Sequence, residues 1–148
     1  MDKKKIVIFE DNEIDLVDRY KDLNGEGFET FVYLNSPYVD DEYLKKEGFK
    51  NIYQGLPKKL FSENFLKENS EKFVDLKEAI LNPRLYRNKV WLNEEEPVKA
   101  DNYFSDGLEE LCFEIAKNLP KEKFQIYSSN PRVNKEAKEK GYALFTNF

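Results

Sequence analysis

The sequence predicts an α/β domain built on a mostly parallel sheet with helices on both faces. Three observations carry that prediction. Short runs of β-branched and aromatic residues, such as Ile6-Val7-Ile8-Phe9, are apolar without alternation, as in strands buried on both faces. Helical spacings of three and four lie between such runs, clearest in Leu108, Leu111, Cys112, Ile115, Ala116 and Leu119. The order of elements, βαβ at the start and βαβαβ in the last third, implies parallel pairing through right-handed crossovers. At 148 residues the chain suits one domain, 1–148.

The first strand, Lys5–Phe9, meets an abrupt change of polarity at Glu10-Asp11-Asn12. Asn12 can cap a helix from about Glu13 to Leu23, with Ile14, Val17 and Tyr20 inward, closed by Gly25 and Gly27. Residues 28–34 read as the second strand, and Asn35-Ser36-Pro37 as its turn. Signals then thin out. Asp40-Asp41 opens a short helix ending at Gly48, Phe49–Tyr53 is a brief strand, and Ser70 starts a helix over 70–81 with Phe73, Leu76 and Ile80 on one face. Lys89–Leu92 is extended, and Glu94-Glu95-Glu96-Pro97 is a solvated turn. Ala100–Ser105 reads as a strand reaching Asp106-Gly107, followed by the helix that Pro120 closes. Phe124–Tyr127 is a strand ending at Ser128-Ser129-Asn130. Asn130-Pro131 starts a helix with Val133 and Ala137 inward, and Tyr142–Phe145 is the last strand.

Composition excludes several kinds of chemistry. Lys and Arg number 24 against 29 Asp and Glu, a net charge of −5, so no cationic face for nucleic acid is expected. No apolar run approaches the roughly 20 residues of a membrane span, and the basic start leads into no secretory signal. With no histidine and one cysteine, His-based triads, the usual zinc sites and an internal disulfide are impossible within the chain. A metal site would need oxygen ligands, which favours Mg²⁺ or Ca²⁺. The 22 aromatic residues speak for a folded core, and the expected compartment is a reducing cytoplasm. Cys112 lies on the apolar stripe of its helix and reads as packing.

Ligands of open α/β sheets bind beyond the carboxyl ends of the strands. Glu10-Asp11, Asp106 and Ser128-Ser129 all fall at such ends, on one predicted edge. Carboxylates meeting there repel unless a cation lies among them, and one could act as a nucleophile on phosphorus. The same residue types also cap helices, which would account for Asp11, Asn12 and Asn130 without any ligand.

In this order the residues resemble the receiver domain of response regulators. Ile6-Val7-Ile8-Phe9-Glu10-Asp11-Asn12 is similar to the family's first strand and paired acids. Ala100-Asp101-Asn102-Tyr103-Phe104-Ser105-Asp106 keeps the spacing to its phospho-accepting aspartate, and Gly107-Leu108-Glu109 is similar to the opening of its next helix. Ser128 and Gly141 match later landmarks, so the likeness covers roughly 3–34 and 98–146. It implies a three-layer, flavodoxin-like sandwich with a mostly parallel five-stranded sheet and a long insertion, about 38–97, between the second and third strands. It also implies Mg²⁺ held by Glu10, Asp11, Asp106 and the backbone carbonyl of Leu108, phosphoryl transfer to Asp106, and a hydrogen bond from Ser128 to the phosphate. The partner implied is a protein, either a kinase or a downstream effector, with neither nucleic acid nor membrane involved directly. Leu144-Phe145-Thr146-Asn147-Phe148 lacks the family's lysine, which points to a divergent or pseudo-receiver and leaves open whether the chain is an enzyme.

Two other readings compete. A phosphatase of the haloacid-dehalogenase type would use Asp11 as nucleophile, Ser128, and Lys135 or Lys138. A non-catalytic interaction domain would instead use the insertion, rich in aromatics such as Phe61, Phe65, Phe73 and Trp91. Arg84, Arg87 and Lys89 form a small basic cluster, and Arg132 is a candidate phosphate contact near Ser128.

Overall fold

A computed structural model describes residues 3–36, 41–106 and 108–145, with the backbone alone for 13–17 and 41. Pro37, Gly107 and the final three residues, including Thr146 and Asn147, therefore lie outside the described residues, as do the side chains of Ile14 and Val17.

Among the described residues the main sheet is wholly parallel and has six strands, in the order β3-β2-β1-β7-β8-β9. They are β1 Lys5–Glu10, β2 Glu29–Leu34, β3 Ile52–Gln54, β7 Asn102–Asp106, β8 Phe124–Tyr127 and β9 Ala143–Leu144. The resemblance implies five, although the sequence also reads a brief strand at Phe49–Tyr53. The sixth, β3, lies in the segment between β2 and β7 and adds to the edge of β2. That segment also folds into a second parallel sheet, β4-β6-β5, from β4 Leu56–Pro57, β5 Phe73–Asp75 and β6 Val90–Asn93.

Alternation along the central strands sorts the core into two layers. Ile6, Ile8, Val32, Leu34 and Phe104 face helix α1 (Glu13–Gly25) and helix α2 (Asp41–Lys46) through Tyr20, Leu23 and Leu44. Val7, Phe9, Phe31, Tyr33 and Tyr103 face the other way. They pack on Leu56, Leu60 and Phe61 and on helices α5 (Leu111–Ala116) and α6 (Pro131–Glu139). Phe61, Phe65 and Phe73 pack ring against ring within 6 Å, so these aromatics belong to the core. Among the described residues no helix is long and apolar enough to cross a membrane.

Two asparagines join the sheets. Asn35 accepts from the Trp91 amide (2.7 Å) and donates to the Lys89 carbonyl, while Asn93 donates to the carbonyls of Gln54 (2.7 Å) and Gly55 (3.0 Å). Gly55 makes the turn from β3 to β4 at φ 78, where a Cβ would lie 3.2 Å from the Trp91 carbonyl oxygen.

Elsewhere the structure corrects the predicted bounds. The predicted helix over 70–81 is a 3₁₀ turn at Ser70–Lys72, the strand β5, and only then helix α4, Leu76–Leu81. Asp75 caps α4 by accepting from the Lys77 amide (2.8 Å), while Ile80 is exposed. Pairing of Phe73–Asp75 with β6 is a tertiary effect that local periodicity does not encode. Helix α3 (Glu63–Glu68) was not predicted; Ser62 caps it. The brief strand expected at Phe49–Tyr53 begins only at Ile52, because Phe49 turns into the core and Asn51 takes φ 58. Helix α5 starts three residues later than its apolar stripe, after a sharp turn with Glu109 at φ 47.

Candidate functional site

Glu10 ends β1 and Asp106 ends β7. The strands are neighbours in a register that sets these two residues side by side, about 4.8 Å apart across the ladder. Each lies two positions beyond a residue of the α1 layer, Ile8 and Phe104, so both carboxylates fall on that face. From α1, the guanidinium of Arg19 pairs with Glu10 Oε2 at 2.8 Å and with Asp106 Oδ2. It also lies over the Tyr127 ring, 4.8 Å from its centroid. Glu10 Oε1 accepts from the amides of Asn12 (3.0 Å) and Asp11 (3.2 Å). The side chains of Glu10 and Asp106 are 1% and 7% exposed and that of Arg19 11%, so this is a buried ion-pair triad. Buried carboxylates need a countercharge and hydrogen bonds, and Arg19 with two amides supplies both.

The acid pair marks the switch point of the sheet. From β1 the chain proceeds to β2 and β3 on one side, and from β7 to β8 and β9 on the other. A cleft of about 430 Å³ opens there, on the side of α5 and the small sheet. Asp11, Asn35, Ser36, Arg87, Lys89 and Glu109 line it. Asp11 thus lines the cleft while its neighbour Glu10 is buried towards α1.

Of the predicted site residues, Glu10 and Asp106 come together and Asp11 lies apart from them in the cleft. Leu108 is buried, and its carbonyl accepts from the Leu111 amide (3.0 Å), closing the turn into α5. Ser128 lies one residue past Tyr127, the partner of Asp106 in β8. Its hydroxyl accepts from the Asn130 amide (3.0 Å) and its carbonyl from Asn134 (2.7 Å), so it organises the entry to α6. Asn130 caps α6 through the Arg132 amide, as predicted. The Arg132 side chain is exposed and borders a separate hollow between α5 and α6. Lys135 and Lys138 are exposed on α6. Cys112 is buried, and burial pushes its thiol up to about 12.

Arg19 is the site residue that sequence reasoning missed. The available signal was position: it precedes Tyr20 and lies four residues before Leu23, both buried, so an arginine stands on an inward-facing stripe. The sequence places Ser36 only in a turn, yet it lines the cleft together with Asp11.

Mg²⁺ prefers near-octahedral oxygen ligands at about 2.0–2.1 Å. The predicted set does not fit it as placed. Arg19 stands on both converging carboxylates, Asp11 faces the cleft, and the Leu108 carbonyl is taken by its own turn. Among the described residues no group of three or more His, Cys, Asp or Glu is arranged to hold a metal ion. No family model matches the chain, and no curated protein or solved structure is significantly similar to it.

Proposed function

We propose that the chain is a receiver-like regulatory domain of the pseudo-receiver kind, acting by engaging a protein partner. The observation that carries this reading is the Arg19 guanidinium seated on Glu10 and Asp106. A receiver concentrates acids at the switch point and neutralises them with a divalent ion. Here an internal cation, Arg19, offsets part of that charge, and Asp106 is buried against it. In this reading β2-β1-β7-β8-β9 is the five-stranded flavodoxin-like core, and 38–97 is an insertion that adds β3 to its edge and builds the small sheet. The absent lysine after the last strand agrees with a domain that has given up phosphoryl switching.

The test is incubation of the full chain with Mg²⁺ and acetyl phosphate or beryllofluoride, followed by intact-mass measurement and Trp91 fluorescence. The expected result is no adduct on Asp106 and no Mg²⁺-dependent change. A stoichiometric adduct on Asp106 would overturn the reading.

One observation favours a second reading. Asp11 lies in the open cleft with Ser36 and the cations Arg87 and Lys89, a setting suited to attack on a phosphate monoester. The Asp11 carboxylate would displace the alcohol from phosphorus, and water would then hydrolyse the acyl phosphate. Phosphate release from p-nitrophenyl phosphate that is lost in Asp11→Asn and kept in Asp106→Asn would establish it.

A further inference from the structure

The end of α4 and the turn that follows it present aliphatic side chains outward. Ile80 is 56% exposed, Leu81 77% and Leu85 70%. Among the residues whose side chains are described, the exposed large aliphatic ones all fall within these six positions. Single exposed leucines are ordinary, whereas three clustered ones mark an interaction site. The backbone beneath them is held in place. Ala79 anchors α4 in the core, the Asn82 amide donates to the Glu78 carbonyl (3.0 Å), and the Leu85 amide donates to the Asn82 carbonyl (3.1 Å). Further on, the Lys89 amide donates to the Tyr86 carbonyl (3.1 Å), and the Lys89 ammonium to the carbonyl of Glu71. The apolar groups are therefore displayed on a fixed scaffold.

The stretch of chain that carries them has the opposite charge to the rest of the sequence. Lys77, Arg84, Arg87 and Lys89 against Glu78 give residues 76–90 a net +3, so the remainder of the −5 chain carries −8. Lys77, Arg84 and Arg87 are exposed, and Arg87 and Lys89 also line the switch-point cleft. We infer that Ile80, Leu81 and Leu85, in a stretch of chain that also carries these cations, dock a segment of another protein that offers apolar side chains flanked by carboxylates. Apolar anchors would supply affinity, and charge complementarity would supply register and a fast encounter. A second copy fits less well. A two-fold contact would bring the two basic patches together, and a head-to-tail contact would propagate into filaments. An anionic bilayer fits less well too, since α4 has six residues, too few for the long apolar face with which helices lie in a membrane surface. The inference rests on the regulatory reading only in having the chain engage a protein; it does not involve the acid pair.

The test uses a fluorescein-labelled synthetic peptide with leucine at i, i+3, i+4 and i+7 and glutamate elsewhere, added to the ¹⁵N-labelled full chain. Amide shifts should centre on residues 77–90, and affinity should fall as salt rises. Leu81→Ser/Leu85→Ser and Arg84→Glu/Arg87→Glu should each weaken binding about tenfold or more, which is about 1.4 kcal/mol per decade. A peptide with lysine in place of glutamate should not bind. These positions are exposed, and melting curves confirm folding; if the serine pair lowers the melting temperature, the charge-reversal pair carries the test. Shifts elsewhere, equal binding of the lysine peptide, binding to phosphatidylserine vesicles in place of the peptide, or self-association through the patch would each overturn the inference. Binding mapped to another surface would leave the regulatory reading standing, and an adduct on Asp106 would leave this surface standing.

Discussion

Replacing Arg19 by Met should be among the most destabilising single changes in the protein. Methionine keeps the aliphatic stem but leaves two carboxylates, 1% and 7% exposed, without their cation. Removing one partner of a buried pair costs about 3–5 kcal/mol, and losing the stacking over Tyr127 adds about 0.5–1 kcal/mol. Against a typical domain stability of about 5–15 kcal/mol, the variant would be marginal. The melting temperature should drop by roughly 8–16 °C for a loss near 4 kcal/mol. Urea unfolding read by Trp91, the single tryptophan and 3% exposed, measures the loss directly. The geometry also fixes which second change rescues. Glu10 keeps the amides of Asp11 and Asn12, whereas Asp106 leans on Arg19. Asp106→Asn should therefore recover at least half of the loss in the Arg19→Met background, and Glu10→Gln much less. A loss below about 1 kcal/mol, the level of an exposed pair, or equal rescue by the two amides, would refute the account of the triad as a buried ion-paired unit.

Four further outcomes are expected. Cys112 should resist iodoacetamide at pH 8 until the chain unfolds, because burial pushes its thiol up to about 12; rapid alkylation of the native protein would contradict this. Tyr33 is raised from 10.0 to about 12, chiefly by burial. Between those values the unfolded chain gives up a proton that the folded chain keeps, so stability falls with rising pH across that window by roughly 2–3 kcal/mol from this group. Denaturation midpoints from pH 9 to 12 in wild type and Tyr33→Phe check it, the variant having the flatter profile. Gly55→Ala should cost about 1–3 kcal/mol, from its positive φ and the close Trp91 carbonyl, and a neutral result in calorimetry would dispute that turn. Asn130→Ala removes the cap of α6 and should cost about 1 kcal/mol by urea unfolding.

The strands that the sequence made legible are those buried on both faces. Ile6–Phe9 and Phe31–Leu34 are continuous apolar runs because layers cover them from both sides, and their bounds match the structure to within a residue or two. Of the small sheet only β6 was legible, as the extended stretch expected at Lys89–Leu92; β4 and β5, two and three residues long, are held by neighbours far along the chain, so Leu56 and Pro57 carry no periodic signal of their own. The helix predicted over 70–81 illustrates the limit. Phe73, Leu76 and Ile80 keep helical spacing, yet Phe73 packs with Phe61 while Ile80 faces outward. At the site, polarity at strand ends revealed Glu10 and Asp106. It did not reveal Arg19, because which cation closes on a carboxylate pair depends on how α1 lies across the sheet.

The separation of Asp11 from Glu10 begins where β1 ends. Glu10 is the last strand residue, and the chain bends at Asp11, bringing the amides of Asp11 and Asn12 onto the Glu10 carboxylate while the Asp11 side chain lines the cleft. Glu10 goes to the α1 layer, where Asp106 joins it because β1 and β7 run parallel in register. Asp11 lines the cleft, among residues from the ends of β2 and β7 and from the approach to β6. A divalent ion drawing on all three acids would have to reverse that division or displace Arg19. The pairing seen here gives the two buried acids one shared cation and leaves one exposed carboxylate in the cleft, bordered by Arg87 and Lys89. Regulation through this edge would therefore act by what the cleft and its basic rim bind, with the Arg19 triad fixing the ends of β1 and β7 beneath it.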